Sequence, residues 1–535
     1  MRGCPRFRLA AALSLCAGAI GVFFTRSAWA QEAVDVVPAA SASTPPAAPA
    51  PSAAPATAPA EPAKSTLGKV VGALLEHEPF EGRQERRELL PVGEKGGRFE
   101  FGSYGRVNVG SDLRGGTGRD PNLVAHGSRL EAASYAELEL RREDTWSQLL
   151  RTRIVTTVAL FPPFFHFSGN VNNMVGVRQL YAQAAYGDAQ IWVGSRMYRG
   201  DDIYLLNWWP LDNQNTVGGG AGGKIEKTDT FLAAHAGMQR LDNPWQYQQI
   251  PSANPYGVGA SNVTTLDRPR MIQTLKITQF LRNQKNNKRK FWSDDAVGFK
   301  ASLYGELHEI GAGVRRDTES NADERLPADF GWLLGAQLTY YTGKRDTYVS
   351  AYVRHASGLA SYDPLAVPVT FNNQKTTKGA SENLIALAGN YEIGPLAVMA
   401  AGYLRFVRDP GGSATSYEKY DEGIAVVRPQ YYFTEHVGLA VEGSYQARRY
   451  AGPQLGTTDG EPLVASMVRG SIMPFFSAAG RGSFRRPVIG AVYTVSGRNA
   501  GARSLYPAAD PYARRGLEHY LGFTVEWWFN QSAYP

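Results

Sequence analysis

The chain has 535 residues, of which 43% are hydrophobic and 20% are charged, and its formal net charge is +7. This length allows several soluble domains or one large barrel. Four arginines and no acids lie among the first 30 residues, so the rest of the chain carries a formal charge of only +3. A charge this small gives little support to a nucleic-acid partner or an acidic protein partner.

The first 30 residues have the features of a cleavable secretory signal peptide. Basic residues precede an apolar run from Leu9 to Phe24, and Ala28-Trp29-Ala30 supplies a small-residue cleavage site. Both cysteines, Cys4 and Cys16, lie in this segment. We therefore expect an exported mature chain without disulfides or reactive thiols.

Two further segments precede the region that carries a strand pattern. Residues 31–64 are rich in proline and alanine and are predicted to form a disordered tether, because this composition cannot bury a core. Residues 65–98 have a short helical periodicity followed by charged residues, which predicts a short periplasmic helical segment or an oligomerisation segment. The remaining residues, 99–535, are predicted to form one β domain.

From Phe99 onward, apolar and polar residues alternate with a period of two. The pattern is clear in FEFGSYGRVNVG, YAELELRR, VGLAVEGSYQAR and the final LEHYLGFTVEWWF. Such alternation is typical of strands with one apolar and one polar face. By this alternation Tyr104, Arg106, Tyr135, Glu137 and Trp528 share the polar face of their strands.

A soluble sandwich would show the same alternation, but three features favour a transmembrane antiparallel β-barrel in the bacterial outer membrane. The chain is predicted to be exported, and no run of 18 apolar residues follows the signal. Alternating segments of about ten residues recur with turn-rich connections, and the chain nearly ends in the aromatic strand VEWWF. From Phe99 to Phe529 there are 431 residues. At roughly 24 residues per strand, they make about 18 strands around a water-filled lumen.

The stretch from Ile191 to Gly223 is predicted to leave the barrel wall and narrow this lumen. It begins as the strand IWVGSR, leaves the sheet near Arg199-Gly200, and returns through a glycine-rich segment. Its many aromatic and polar residues would be costly on a floppy surface loop, and glycine allows close approach to a wall. An ordinary surface hairpin is the alternative interpretation.

Several of these motifs, in this order, resemble the maltoporin family of carbohydrate-selective porins. They are FGSYGRVNVG, SYAELEL, VRQLYAQ, IWVGSRMYRGDDIYLLNWWPLD, VVRPQYYFTEHVGLAVEGSY, SFRRPVIGAVYTV and EWWF. The resemblance covers about Phe99 to Phe529 and is loose between about Thr228 and Gly423. It implies a homotrimer of 18-stranded barrels in a lipid bilayer with lipopolysaccharide, through which oligosaccharides such as maltodextrins diffuse without a cofactor or metal.

The resemblance also implies a set of sugar-contacting residues. Tyr104 and Tyr135 correspond to tyrosines of the family's aromatic slide, and Phe484 and Trp528 to its tryptophans. The corresponding polar track comprises Arg106, Arg129, Glu137 and Arg178.

In the inward loop, Asp202 matches a track aspartate, whereas Tyr204 replaces a histidine and Asn207 an aspartate. Trp209 takes the place of a tyrosine at the constriction. The family's loop arginine falls at Gly200, so Arg199 is the substitute that the sequence offers.

Two other functions compete with the sugar porin. The lumen arginines would suit a general or anion-preferring porin, although Glu137 and Glu442 share their face. An outer-membrane enzyme would need a nucleophile–histidine pair or paired carboxylates. The histidines are scattered, with no G-x-S-x-G or H-E-x-x-H motif, so no catalytic residue is predicted.

Overall fold

The alternating segments form the strands of a closed barrel. The computed structural model describes residues 96–531 except 148, 162–174, 226, 255–256, 283–296, 318–319, 321, 343–346, 414 and 454–459. The predicted signal peptide, tether and all but the last three residues of the predicted helical segment lie outside these residues. The first strand begins at Gly96, slightly before the predicted boundary at Phe99.

The wall consists of 18 strands, each paired antiparallel with its neighbours in chain order. Their bounds are Gly96–Ser111 (β1), Tyr135–Thr145 (β2), Leu150–Leu160 (β3), Val175–Tyr186 (β4), Ala189–Arg199 (β5), Asn213–Ile225 (β6), Thr230–Gln239 (β7), Arg270–Arg282 (β10), Val297–Ile310 (β11), Asp329–Thr342 (β14), Tyr348–Gly358 (β15), Ser381–Ile393 (β16), Leu396–Arg408 (β17), Tyr420–Tyr432 (β18), Val437–Pro453 (β19), Pro462–Ser477 (β20), Val488–Arg498 (β21) and Leu517–Phe529 (β22).

The remaining elements lie in the connections. Two hairpins stand outside the wall: Tyr247–Ala253 (β8) with Ala260–Asp267 (β9), and Gly313–Arg316 (β12) with Asp323–Leu326 (β13). The helices are short: Ala500–Ser504 (α1), Pro511–Arg514 (α2), and the 3₁₀ turns Tyr204–Leu206 and Leu359–Ser361. Within the described residues, no helix has the length and apolar character needed to cross a membrane.

The barrel closes between its first and last strands. β1 pairs with β22 from Ser103 opposite Phe529 to Ser111 opposite Leu521. Closure leaves no wall strand with an unpaired edge, which a lipid environment requires. The strand number and the closing role of the VEWWF strand confirm the predicted architecture.

The burial pattern is the inverse of that of a soluble protein. On β2, Leu138 and Leu140 are exposed while Glu137, Glu139 and Arg141 are buried. The same arrangement recurs around the barrel, with charged side chains inside and large apolar side chains outside. An apolar outer face is unfavourable in water and favourable in hydrocarbon, so the outer surface is suited to a bilayer.

Candidate functional site

The loop between β5 and β6 (residues 200–212) folds into the barrel because both it and part of the inner wall are apolar. The loop's 3₁₀ turn Tyr204–Leu206 is fully buried. On the facing wall, the inward side chains of β16 include Leu384, Ala386 and Ala388 where other strands carry polar groups. Loop and wall residues form one buried cluster: Val124, Ile203, Tyr204, Leu205, Leu206, Trp208, Leu211, Tyr304, Leu333, Tyr352, Ala356, Ala360, Leu384, Ala386, Ala388, Met399, Tyr403, Ile424, Val426 and Phe484.

Close contacts hold the loop on this wall. A Cβ atom on Gly335 would lie 2.4 Å from Leu211 Cδ2, so the glycine makes room for the leucine. The Arg354 Nη1 group donates a hydrogen bond to the carbonyl of Pro210 at 2.6 Å. Asp201 accepts hydrogen bonds from Lys300 and Gln337 on β11 and β14. The predicted inward folding of this loop is therefore confirmed, but the glycine-rich return belongs to the wall strand β6 and not to the loop.

The connection between β1 and β2 (residues 112–134) also lies inside the barrel. The backbone N–H of Leu123 donates to Gln446 Oε1 at 3.0 Å, and that of His126 donates to the Tyr403 hydroxyl at 3.1 Å. The N–H of Arg129 donates to the carbonyl of Leu205 at 3.2 Å, which joins the two inward segments. The sequence analysis predicted only one such segment.

Five aromatic side chains form a continuous group that we call the aromatic row: Tyr135, Tyr104, Trp528, Tyr204 and Phe484. The Tyr104 ring centroid lies 6.2 Å from that of Tyr135 and 6.5 Å from that of Trp528, with which it is stacked. Tyr204 then lies edge-on to Trp528 at 6.1 Å and to Phe484 at 5.4 Å. The barrel closure creates this row, because Tyr104 stands directly opposite Trp528 across the β1–β22 seam.

Glu526 is the charged centre beside the row. Its carboxylate accepts hydrogen bonds from the Tyr204 hydroxyl at 2.7 Å and from Arg486 Nε at 2.9 Å, and it forms an ion pair with Arg129. The Arg129 guanidinium also lies 4.2 Å from the Tyr204 ring centroid. Two guanidiniums therefore share one carboxylate, and the whole group is fixed around the loop tip.

Other predicted polar residues flank the opposite end of the row. Arg178 Nη1 donates to the Tyr135 hydroxyl at 2.9 Å, and Arg178 Nε lies 3.4 Å from the Glu137 carboxylate. Glu137 itself is fully buried and accepts from the Tyr135 hydroxyl. Arg106 Nε donates to the carbonyl of Ala133 at 2.9 Å.

The remaining loop residues have different roles. The Arg199 guanidinium lies 3.8 Å from the Trp209 ring centroid, so these two residues pair with each other. The loop residue in the aromatic row is Tyr204 and not Trp209. Asn207 adopts a left-handed backbone conformation (φ 48°) and its N–H donates to the Tyr204 carbonyl, which closes the turn. Asp202 is half-buried. Burial raises the pKa of its carboxyl to about 6, with Arg129 acting against the rise and Asp201 adding to it.

Two residues in this group were missed as site residues by the sequence analysis. Glu526 shares the inward face of β22 with Trp528, two positions away, so strand alternation alone could have identified it. Arg486 lies in the connection between β20 and β21 (residues 478–487). The maltoporin resemblance placed Phe484 of this connection among the sugar contacts, but it gave no role to Arg486.

A closed 18-stranded barrel with an apolar outside, a charged inside and segments folded into its lumen defines an outer-membrane porin. The LamB porin family model matches residues 99–529, and the chain belongs to that family.

Several solved structures are similar to this chain. The outer membrane channel DcaP of Acinetobacter baumannii has 12% sequence identity and a TM-score of 0.42, with 82% of this chain and 100% of that chain covered. OpdL of Pseudomonas aeruginosa has 12% identity and a TM-score of 0.40, with 81% of this chain and 98% of that chain covered. OmpT of Vibrio cholerae in its trimer form has 12% identity and a TM-score of 0.36, with 81% of this chain and 99% of that chain covered. Comparison with curated protein sequences finds no match.

Proposed function

We propose that this porin is carbohydrate-selective and allows oligosaccharides of the maltodextrin type to diffuse passively along the aromatic row. The observation that carries the proposal is the continuity of the row, whose successive ring centroids are 5.4 to 6.5 Å apart. A sugar ring presents a face of C–H groups that lies favourably against an aromatic ring, at about 1 kcal/mol beyond the area buried.

The polar groups beside the row support the same proposal. Sugar hydroxyls need donors and acceptors to replace water, and the planar fork of an arginine fits two adjacent hydroxyls. Arg178 lies next to Tyr135 at one end of the row, and Arg129 lies next to Tyr204 further along it. Conduction requires release at every step, so we expect millimolar affinity, about −4 kcal/mol.

In this proposal the protein acts as a homotrimer, as the maltoporin resemblance implies, and catalyses no reaction. The competing function is a general or anion-preferring porin, which the pairing of two arginines with the single carboxylate of Glu526 favours.

Liposome swelling with purified protein separates these functions. We expect maltotriose to enter faster than raffinose, a trisaccharide of similar size but different shape. Equal rates for the two sugars would indicate a general pore. A channel that passes chloride but neither sugar would indicate an anion porin.

A further inference from the structure

A cavity lies beside the aromatic row, against the inner faces of β1, β18, β20 and β22. Four guanidiniums line it, those of Arg106, Arg129, Arg428 and Arg486, and the one carboxylate in the lining is that of Glu526. Tyr204 of the aromatic row also lines the cavity, so the row and the cavity share this residue. The lining is therefore strongly cationic.

Three of these arginines already have carboxylate partners. Arg129 and Arg486 share Glu526, and Arg428 pairs with Glu442, which lies behind it at 2.7 Å. Arg106 differs from them. Its Nε donates to a backbone carbonyl, and among the described residues no carboxylate lies within ion-pair distance of it. Although Glu526 stands opposite Arg106 on the neighbouring strand, its carboxylate is taken by the other two arginines.

Polar atoms without hydrogen-bond partners lie at Arg106 and at its neighbour on the same strand face. Arg106 Nη1 is buried and has no hydrogen-bond partner among the described residues. Asn108, two residues further along the same strand face, also lines the cavity, and its Oδ1 atom is likewise buried without a hydrogen-bond partner among the described residues. A buried polar atom without a partner is unfavourable, because it has lost its hydrogen bonds to water. A ligand that carries both an anionic acceptor and a hydroxyl donor would satisfy both atoms.

We propose that this cavity binds an acidic oligosaccharide, with a ring carboxylate on Arg106 and a neighbouring hydroxyl on Asn108. The proposal rests on the proposed function, since the aromatic row supplies the ring contacts, and it adds that the preferred substrate carries carboxylates. The charge of the lining supplies the preference over neutral sugars, and the adjoining aromatic row supplies the preference for sugars over simple organic anions.

The test compares two three-ring sugars on single channels in planar bilayers at low salt. Trigalacturonate and maltotriose are titrated separately, and the affinity of each is obtained from block of the ion current. We expect trigalacturonate to block about ten-fold more tightly, because hydrogen bonds to charged groups are the stronger class. The variant Arg106→Gln should bring the affinity ratio close to one, and Arg106→Lys should restore part of it.

Arg240→Gln is the matched control, since it removes the same charge from an exposed ion pair with Asp267, away from the cavity. This variant should keep the wild-type ratio. A ratio below one in the unmodified channel, or a ratio that Arg106→Gln leaves unchanged, would overturn the assignment while leaving the sugar porin intact. Block by succinate as tight as that by trigalacturonate would overturn the proposal that the cavity prefers acidic sugars over simple organic anions. Failure of both sugars to block would instead contradict the proposed function itself.

Discussion

Trp528 stands at the centre of the aromatic row, in contact with both Tyr104 and Tyr204. If sugar rings lie on this row, removal of its indole should weaken binding without closing the pore. We predict that Trp528→Ala lowers the affinity for maltotriose about five-fold, which corresponds to about 1 kcal/mol. Ion conductance should hold or rise because the lumen becomes wider.

Current noise with maltotriose titrated into bilayers measures this affinity. The control is Phe523→Ala, which removes an exposed aromatic ring from the outer face of the same strand. An affinity loss of the same size in both variants would show that the effect comes from the stability of β22 and not from contact with the sugar.

Asp202 gives a prediction on pH dependence. With its pKa raised to about 6 by burial, this carboxyl is largely ionised at about pH 7.5 and largely neutral at about pH 5. Because a negative charge in the lumen favours cations, relative cation permeability should fall as the pH falls through 6. The reversal potential in a potassium chloride gradient measures the change. Asp202→Asn should remove the part of the pH-dependent change in cation permeability that Asp202 causes. An identical pH response in the variant would show that Asp202 does not control this permeability.

At the scale of elements, the inward loop is held by an apolar surface on the inner wall. The buried side chains of Leu205 and Leu211 lie against β14 to β18, whereas Tyr204 reaches across to β22. Replacement of Asp202–Trp209 by two glycines should therefore raise single-channel conductance several-fold. The glycine-rich segment after Asp212 must be kept, because it forms β6.

Shortening of the β8–β9 hairpin, which lies outside the wall, is the matched control and should change conductance little. An unchanged conductance in the loop variant would mean that this loop does not limit ion flow.

The sequence predicted the wall well because alternation is a local signal. Apolar residues such as Leu140 and Phe523 fall on the outer face with a period of two, and the inward placement of Glu137 and Trp528 follows from the same count. The number of strands followed from length alone.

Placement of the inward segments was harder to predict. The middle of the strand SENLIALAGNYEI, from Leu384 to Ala388, is apolar on both faces, which could have indicated that its inner face is covered by another part of the chain. The inward course of residues 112–134 and of the connection with Arg486 depends on long-range hydrogen bonds, such as those to Gln446 and Glu526. No periodicity in the sequence encodes such contacts.

At the scale of the whole molecule, the barrel is complete from Gly96 onward, since β1 and β22 close it. We therefore predict that residues 31–95 are dispensable for conduction. A variant that joins the signal segment directly to Gly96 should still insert into bilayers and conduct like the full chain. Its trimer content on a native gel shows whether this segment contributes to oligomerisation. Loss of conductance in a variant that still inserts would contradict the prediction.

The central claim is that neutral sugar binds in the lumen of this channel. The most direct measurement is the ion current through the unmodified protein in planar bilayers as maltotriose is added. We predict a saturable decrease in current with a half-saturation in the millimolar range. A current that does not change with added maltotriose or sucrose would contradict it and would favour a general or anion-preferring porin.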